Sequence, residues 1–286
     1  MARCQVCFRQ CEIEEGKEGF CRSRGCRDGR IVPLFYGKVS SLALDPIEKK
    51  PLARFFPGSR ILSVGSFGCN LRCPFCQNHE ISWSDEAYAE AADADLCTPE
   101  ELAAIAGSCK DRGNIGLAYT YNEPLVSYEF VRDTAALIQK AGMKNVIVTN
   151  GTATLPVWRE LAPFTDAANI DLKGFSARYY EQVLSGSLET VKDLIREAVT
   201  TCHVELTTLI VPGENDTEEE MEALCRWVSE LTDGNGKRIG ENIPLHISRF
   251  FPRFHMTEKN ATDVGHIYHL ADVARRLLKY VYTGNC

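Results

Sequence analysis

Three cysteines in the first third of the chain have a spacing that suits an iron–sulfur cluster. Cys69, Cys73 and Cys76 follow the pattern C-x3-C-x2-C in one short loop, directly after an apolar run. Cysteine thiolates are the usual ligands of cubane irons, so these three would hold three corners of a four-iron four-sulfur (4Fe-4S) cluster. Because no fourth cysteine follows nearby, one iron would stay open to a substrate, as in catalytic metal sites. Zinc with a distant fourth ligand, or buried thiols at an accidental spacing, are the alternatives.

A second group of cysteines lies at the N-terminus. Five of the 13 cysteines fall within the first 26 residues, and four of them follow the pattern C-x2-C-x3-C-x9-C: Cys4, Cys7, Cys11 and Cys21. Cys26 would be a spare or alternative ligand. Close cysteine pairs suit a tetrahedral zinc site, while an auxiliary iron–sulfur cluster and no metal at all are the alternatives. A metal would stabilise a segment that has no hydrophobic periodicity of its own.

Polar side chains occur at the ends of several apolar runs of strand length. They are Asn122, Glu123, Asn150, Asp171, Lys173 and, within the last run, His246. Chemistry in parallel α/β barrels takes place at the carboxyl ends of the strands, so we expect these side chains to meet there. Structural roles compete with this interpretation. Glu123 would suit the first turn of a helix and Asn150 a turn. Asp171 with Lys173 would form an ion pair, and His246 would be a satisfied core histidine.

Apolar runs and helical stretches alternate from residue 61 onward. Strands are predicted at 61–66, 115–120, 145–149, 167–172, 204–211 and 244–248. Amphipathic stretches near 125–141, 188–200, 217–231 and 263–279 predict helices, and a capping box of Thr98 and Glu101 predicts another helix start. Alternation of this kind predicts a parallel sheet covered by helices.

Six such units are fewer than the eight of a full barrel, which typically takes about 250 residues. We therefore expect an α/β fold, a partial (β/α)6 TIM-like barrel with a small Cys-rich N-terminal module. The expected organisation is an N-terminal module at 1–35, a connector at 36–60 and the core barrel at 61–286.

Composition restricts the classes of function. The chain has 286 residues, of which 44% are hydrophobic and 25% charged, as in ordinary soluble globular proteins. No apolar run approaches the length of a membrane span, and the N-terminus lacks an apolar signal core. We therefore expect a cytoplasmic protein with reduced cysteines and no membrane partner. The formal net charge of −7 argues against a nucleic-acid partner.

Seven segments resemble the radical S-adenosylmethionine (SAM) superfamily, more narrowly the enzymes related to pyruvate formate-lyase activating enzymes, and most of all the AmmeMemoRadiSam-system branch. In order, they are CNLRCPFCQNHEIS at 69–82, YNEP at 121–124, VTNG at 148–151, NIDLKG at 169–174, LIVPGEND at 209–216, PLHISRFFPRF at 244–254 and VYTGN at 281–285. One segment departs from the pattern, since glycyl-radical activators usually carry GGEP where this chain has YNEP.

The resemblance implies a radical SAM enzyme whose 4Fe-4S cluster, held by Cys69, Cys73 and Cys76, binds SAM at its open iron. Reductive cleavage would give methionine and a 5′-deoxyadenosyl radical that abstracts hydrogen from a substrate. The implied SAM contacts are Asn122, Glu123, Asn150, Asp171, Lys173 and His246. An unknown protein or small-molecule substrate and an electron donor such as flavodoxin or ferredoxin are the implied partners, in an activating-enzyme-like role. The competing hypothesis is a non-catalytic iron–sulfur or zinc protein that transfers electrons or serves as a scaffold.

Overall fold

The computed structural model describes all 286 residues, and a single large sheet forms its centre. Two small antiparallel pairs precede this sheet: β1 (Ala2–Arg3) with β2 (Glu12–Ile13), and β3 (Arg24–Arg27) with β4 (Arg30–Pro33). The sheet itself consists of β5 (Ser41–Pro46), β6 (Arg60–Gly65), β7 (Asn114–Tyr119), β8 (Lys144–Thr149), β9 (Ala167–Asp171), β10 (His203–Ile210), β11 (Leu245–Arg249) and β12 (Val281–Gly284).

The eight strands lie in the order in which they occur along the chain, from β5 at one edge to β12 at the other. All neighbours from β6 to β12 are parallel, and only β5 is antiparallel to its neighbour. The two edge strands do not pair, so the sheet stays open. Because the carboxyl ends of β6 to β12 all point the same way, the loops that follow them share one side of the sheet.

Helices connect the parallel strands. They are α1 (His79–Ser82), α2 (Asp85–Asp93), α3 (Pro99–Ser108), α4 (Tyr128–Lys140), α5 (Leu155–Leu161), α6 (Leu188–Ala198), α7 (Glu218–Ser229) and α8 (Val264–Arg275). The capping box predicted at Thr98 and Glu101 is confirmed at the start of α3. Apolar helix faces pack with the sheet into a core of 57 buried residues. No helix combines the length and apolar character that a membrane crossing requires.

The predicted partial α/β barrel is confirmed, and the sheet contains two strands beyond the six predicted. β5 lies in the segment interpreted as a connector, where its sequence SLALDP has little apolar alternation. β12 has only four residues, too few for a periodic pattern. Helix α5 was also not predicted, because its seven residues make barely two turns.

Residues 47–55 fill one end of the space that the curved sheet encloses. Ile47 and Leu52 are fully buried against apolar side chains of β6 to β9. Further along the same inner face, Asn169 donates to the Pro51 carbonyl over 2.8 Å. Since side chains on a strand alternate between faces, Asp171 shares the inner face with Asn169. The carboxyl ends of the strands therefore point polar groups into the space above this apolar floor.

Candidate active site

The cysteine loop begins directly after β6 and is held from both sides by Asn122. The Asn122 side chain accepts a hydrogen bond from the Ser66 amide and donates one to the Gly68 carbonyl, both over 3.0 Å. Gly68 has a φ of +93°, in the left-handed region that glycine adopts without strain. Asn122, predicted as a SAM contact, thus lies at the loop and fixes its backbone.

The three thiols of the loop are largely shielded from water. Cys73 is 8% exposed, whereas Cys69 and Cys76 are half-buried. Burial raises the pKa of all three, that of Cys73 to about 12. Thiols must lose their protons to bind metal, so cluster binding releases protons here.

The donor set fits a cluster. Nowhere in the chain are three or more His, Cys, Asp or Glu side chains grouped as ligands of one metal ion. Zinc would draw its thiolates to about 2.3 Å from a single point. A cubane cluster binds each thiolate to a separate iron and therefore keeps the sulfur atoms further apart. The loop thus suits a 4Fe-4S cluster better than the alternative of zinc.

Glu123 and Asn150 connect the ends of β7 and β8 to this loop. The buried Glu123 carboxylate accepts hydrogen bonds from Thr149 Oγ1 and from the Asn150 amide, both over 2.7 Å, and from the Leu125 amide over 3.1 Å. Burial raises the pKa of Glu123 to about 7, despite these hydrogen bonds. The Asn150 side-chain amide lies 3.7 Å from Cys69 Sγ. Both residues therefore lie at the cysteine loop.

Asp171 and Lys173 form an ion pair on the other side of the loop. Lys173 Nζ lies 2.8 Å from Asp171 Oδ2, and both side chains keep some exposure, 18% and 31%. The positive charge of Lys173 lowers the pKa of Cys73 and Cys76, in opposition to burial. Asp171 acts in the opposite direction on both thiols. The pair is therefore close enough to the loop to influence its cysteines electrostatically.

His246 belongs to a different network. Its Nε2 lies 2.7 Å from Glu205 Oε2, and its ring stacks on Tyr282. The fully buried Glu205 also bonds His203 and the amides of Ala53 and Arg54. Burial raises the pKa of Glu205, but these bonds outweigh it and hold the value at about 2. The structure thus groups Asn122, Glu123, Asn150, Asp171 and Lys173 around the cysteine loop, whereas His246 is engaged with Glu205.

Sequence reasoning missed several contacts that hold the loop and the residues after it in place. Arg72 donates to the carbonyls of Cys69 and Leu71 over 2.9 and 2.8 Å, and its guanidinium lies over the Phe20 ring. On another side, Phe254 stacks on His79 with ring centroids 4.1 Å apart. The two ring contacts join parts of the chain more than 50 residues apart, and no local pattern signals them.

The four N-terminal cysteines lie together. Cys4, Cys7, Cys11 and Cys21 line one cavity. Cys26 is not among its lining residues, since its thiol faces Glu15 Oε2 at 3.5 Å. The arrangement groups the four cysteines of the C-x2-C-x3-C-x9-C pattern and leaves the fifth out.

A partial α/β barrel with a three-thiol loop after its first parallel strand defines a cluster-binding class of enzyme. The family model of the radical SAM superfamily matches residues 63–228. An uncharacterized protein of Methanocaldococcus jannaschii is 40% identical over 294 residues, covering 99% of this chain and 81% of that protein. Pyruvate formate-lyase 1-activating enzyme of Escherichia coli K12 is 28% identical over 196 residues, 66% of this chain and 75% of that enzyme.

A comparison with solved structures shows the same fold in a SAM-bound protein. Streptococcus suis SuiB bound to S-adenosylmethionine has a TM-score of 0.58 at 13% identity, covering 79% of this chain and 52% of that one. The chain therefore belongs to the radical SAM superfamily. Its cofactors are accordingly a 4Fe-4S cluster and SAM, and its chemistry is SAM cleavage with radical generation at the cluster.

Proposed function

We propose that this chain binds its 4Fe-4S cluster through Cys69, Cys73 and Cys76 and cleaves SAM reductively to abstract hydrogen from an organic substrate. The observation that carries the proposal is the single three-thiol loop at the carboxyl end of the parallel sheet, with acidic, basic and amide side chains around it. When bound, the cluster supplies one electron to the sulfonium, which yields methionine and a 5′-deoxyadenosyl radical.

The charged groups around the loop suit the two ends of the SAM methionine moiety. Lys173 carries the charge that a carboxylate needs, and Glu123 the charge that an ammonium needs. Glu123 already accepts three hydrogen bonds, which leaves one of about four lone-pair sites for the ammonium. Asn122 and Asn150 offer amide contacts from the same side, and Asp171 offers an acceptor for the ribose. His246 is the proposed contact for the adenosine, while its Nε2 stays bonded to Glu205.

For the substrate, we propose an activating-enzyme-like role in which a protein partner donates the hydrogen atom. Similarity to enzymes named as activators of pyruvate formate-lyase supports this choice. Tyr121 is relevant to the type of protein partner, because glycyl-radical activators carry glycine at this position. It has a φ of +74°, and its hydroxyl donates a hydrogen bond to Asp45 over 2.7 Å. The electron donor would be a flavodoxin or ferredoxin. The reducing cytoplasm suits such an enzyme and is the proposed location.

Release of 5′-deoxyadenosine from SAM tests the chemical step. Anaerobic, cluster-loaded protein with a low-potential reductant should release 5′-deoxyadenosine and methionine in equal amounts. Cys73→Ala should lose iron and cleavage together, whereas Cys97→Ala, outside the loop, should retain both. Full iron content and undiminished cleavage in Cys73→Ala would contradict the ligand assignment.

A cluster-loaded wild type that leaves SAM intact would support the competing hypothesis of an electron-transfer protein. A glycyl-radical EPR signal in a co-purified partner would identify the substrate.

A further inference from the structure

The cavity lined by the four N-terminal cysteines lies directly against the catalytic loop. Cys4, Cys7 and Cys21 are buried and Cys11 is half-buried, so the four thiols face a space that is mostly shielded from water. The backbone closes this space, since the Cys4 amide donates to the Cys11 carbonyl over 2.8 Å. Four cysteine thiols around one cavity are the donor set of a metal centre.

The geometry distinguishes between the two kinds of metal centre. Three or more thiolates of a zinc site would converge on one ion at about 2.3 Å, and no such group exists in the chain. The four thiols instead stand around one shared cavity, with no three of them gathered on a single point. Sulfur ligands that surround a volume rather than a point match a cubane, in which each thiolate binds its own iron.

Positive charge is positioned for such a group. Arg9 and Arg24 are among the residues that line the cavity. A cubane with four thiolates carries net negative charge, and a buried anion requires nearby opposite charge or hydrogen-bond donors. Of these two arginines, Arg24 is paired with Glu129 over 2.6 Å. Arg9 forms no ion pair with an acidic side chain.

A short hydrogen-bonded path connects this cavity to the catalytic loop. Asn70 lines the cavity and is the residue next to Cys69. Its side-chain oxygen accepts a hydrogen bond from Asn150 Nδ2 over 2.9 Å. The same Asn150 nitrogen lies 3.7 Å from Cys69 Sγ. Two hydrogen-bonded asparagine side chains, Asn70 and Asn150, therefore connect the two thiol groups.

We infer that Cys4, Cys7, Cys11 and Cys21 hold a second 4Fe-4S cluster that passes electrons to the SAM-cleaving cluster. All four of its irons have protein ligands, so it has no open position for SAM and acts only in electron transfer. A reduced flavodoxin- or ferredoxin-type donor gives one electron to the second cluster, which passes it to the first. Only the electron moves in these steps, and no bond forms or breaks. The relay rests on the proposed function, whereas the presence of the cluster does not.

Iron content and EPR spectra test for the cluster itself. Anaerobically reconstituted wild type should hold about eight irons, and its reduced form two signals of which only one responds to SAM. The triple variant Cys69→Ala, Cys73→Ala, Cys76→Ala should retain about four irons with a signal that ignores SAM. Cys7→Ala should retain only the SAM-responsive signal. Cys26→Ala is the matched control and should match wild type.

Two outcomes would overturn the cluster assignment. One is a wild type with a single, SAM-responsive signal and about four irons. The other is a triple variant that binds zinc in place of iron. Because the wild-type spectra alone can give the first result, a variant that fails to fold does not protect the proposal.

The relay has its own test. Cys7→Ala should cleave SAM at a near wild-type rate with dithionite, a small reductant that reaches the first cluster directly. With reduced flavodoxin as donor, the same variant should be slower by roughly tenfold or more, a barrier increase of about 1.4 kcal/mol. An equal loss with both reductants would mean that the second cluster is structural. A wild type that holds about eight irons but releases no 5′-deoxyadenosine from SAM would instead refute the proposed function.

Discussion

At the scale of a single residue, the surroundings of Lys173 are consistent with two different roles, a structural ion pair and a SAM contact. Its ammonium pairs with Asp171 over 2.8 Å, which suits a structural ion pair. The same group lowers the pKa of Cys73 and Cys76, which suits a residue of the SAM site. A partly exposed ion pair contributes little to stability, so the ligand role is the one with a large measurable effect.

Lys173→Met should weaken SAM binding by roughly 10- to 150-fold, because a shielded hydrogen bond to a charged group contributes about 1.5–3 kcal/mol. The cluster should still assemble, since Lys173 is not an iron ligand. Equilibrium dialysis of SAM against the cluster-loaded variant measures the effect. Lys144→Met, which breaks a similar pair with Asp166 at 2.7 Å, is the control. A lower Tm with unchanged SAM affinity would reduce the Lys173 pair to a structural one.

The candidate residues were predictable where chemistry follows from residue type and local position. The three cysteines form a local pattern, and Glu123 and Lys173 follow apolar strands, so both signals are visible in the sequence. Asn70 and Arg72 also lie in the cysteine loop, but their roles depend on partners such as Thr152 and Phe20. Such pairings arise only when segments distant in the sequence pack together, and spacing does not encode them.

At the scale of elements, the contact between the N-terminal segment and the cysteine loop depends on Gly68. A Cβ atom at this position would lie 1.6 Å from Ser23 Oγ. Ser23 Oγ in turn lies 3.1 Å from the Phe67 carbonyl, as its hydrogen-bond donor. The two segments therefore approach so closely that no side chain fits between them.

Gly68→Ala should separate the segments and impair cluster assembly, in addition to the strain of a positive φ, which costs about 1–2 kcal/mol. Iron content after reconstitution and the Tm measure both effects. Gly113→Ala is the control, because Gly113 has a φ of +84° but no atom within 4 Å of the added Cβ. Ser23→Gly should partly rescue the Gly68→Ala variant. If both glycine variants lose the same stability and keep their iron, the close approach is unimportant.

Glu205 fixes three elements around the barrel interior: β10, β11 through His246, and the segment at Ala53. Its folded-state pKa of about 2 lies below the ordinary value of 4.5. A depressed carboxyl pKa stabilises the fold at pH above about 4.5, and this contribution is lost as the pH falls toward 2. The shift corresponds to about 3 kcal/mol at neutral pH.

Glu205→Gln should therefore lower the free energy of unfolding at pH 7 and flatten its decline between about pH 4.5 and 2. Urea unfolding at a series of pH values measures this. Glu222→Gln, which removes an exposed helix ion pair with Arg226, should leave the profile unchanged. A Glu205→Gln profile parallel to wild type would mean that other carboxyl groups determine acid stability.

The elements themselves were predictable to the extent that they carry a periodic pattern. The runs predicted at 145–149 and 167–172 match β8 and β9 to within a residue, because β-branched and small apolar residues fill them. β5 pairs antiparallel with β6 at the sheet edge, and its partly exposed residues give a weak apolar signal. An edge strand is defined by its neighbour, which a single segment of sequence does not specify.

At the scale of the whole molecule, the N-terminal segment predicted to form a module contacts the barrel through polar anchors. A buried ion pair between Arg24 and Glu129 on α4 makes one anchor, with side-chain exposures of 5% and 19%. Backbone pairing makes another, since the Thr154 amide donates to the Val6 carbonyl over 2.9 Å. If residues 1–35 form a unit of their own, as predicted, these anchors hold it against the barrel, and Cys4, Val6, Ile13 and Cys26 share the barrel's hydrophobic core.

Glu129→Gln should therefore loosen the N-terminal unit selectively. It leaves the buried Arg24 charge without its partner, a change that costs about 3 kcal/mol or more in buried pairs. Hydrogen exchange should accelerate at the amides of residues 2–33, while β7 to β10 keep their protection. The matched control is Glu160→Gln, which removes an exposed pair with Arg132 at 2.9 Å and should cost about 0–1 kcal/mol.

Equal loss of protection in both regions of Glu129→Gln would show that module and barrel unfold as one cooperative body. The domain division at 1–35, 36–60 and 61–286 would then have no energetic meaning. Selective loss would instead predict a functional consequence, because Asn70 and Gly68 of the catalytic loop contact this unit directly. Iron bound through the N-terminal cysteines should then restore part of the lost protection, since a metal that binds only the folded unit shifts its opening equilibrium.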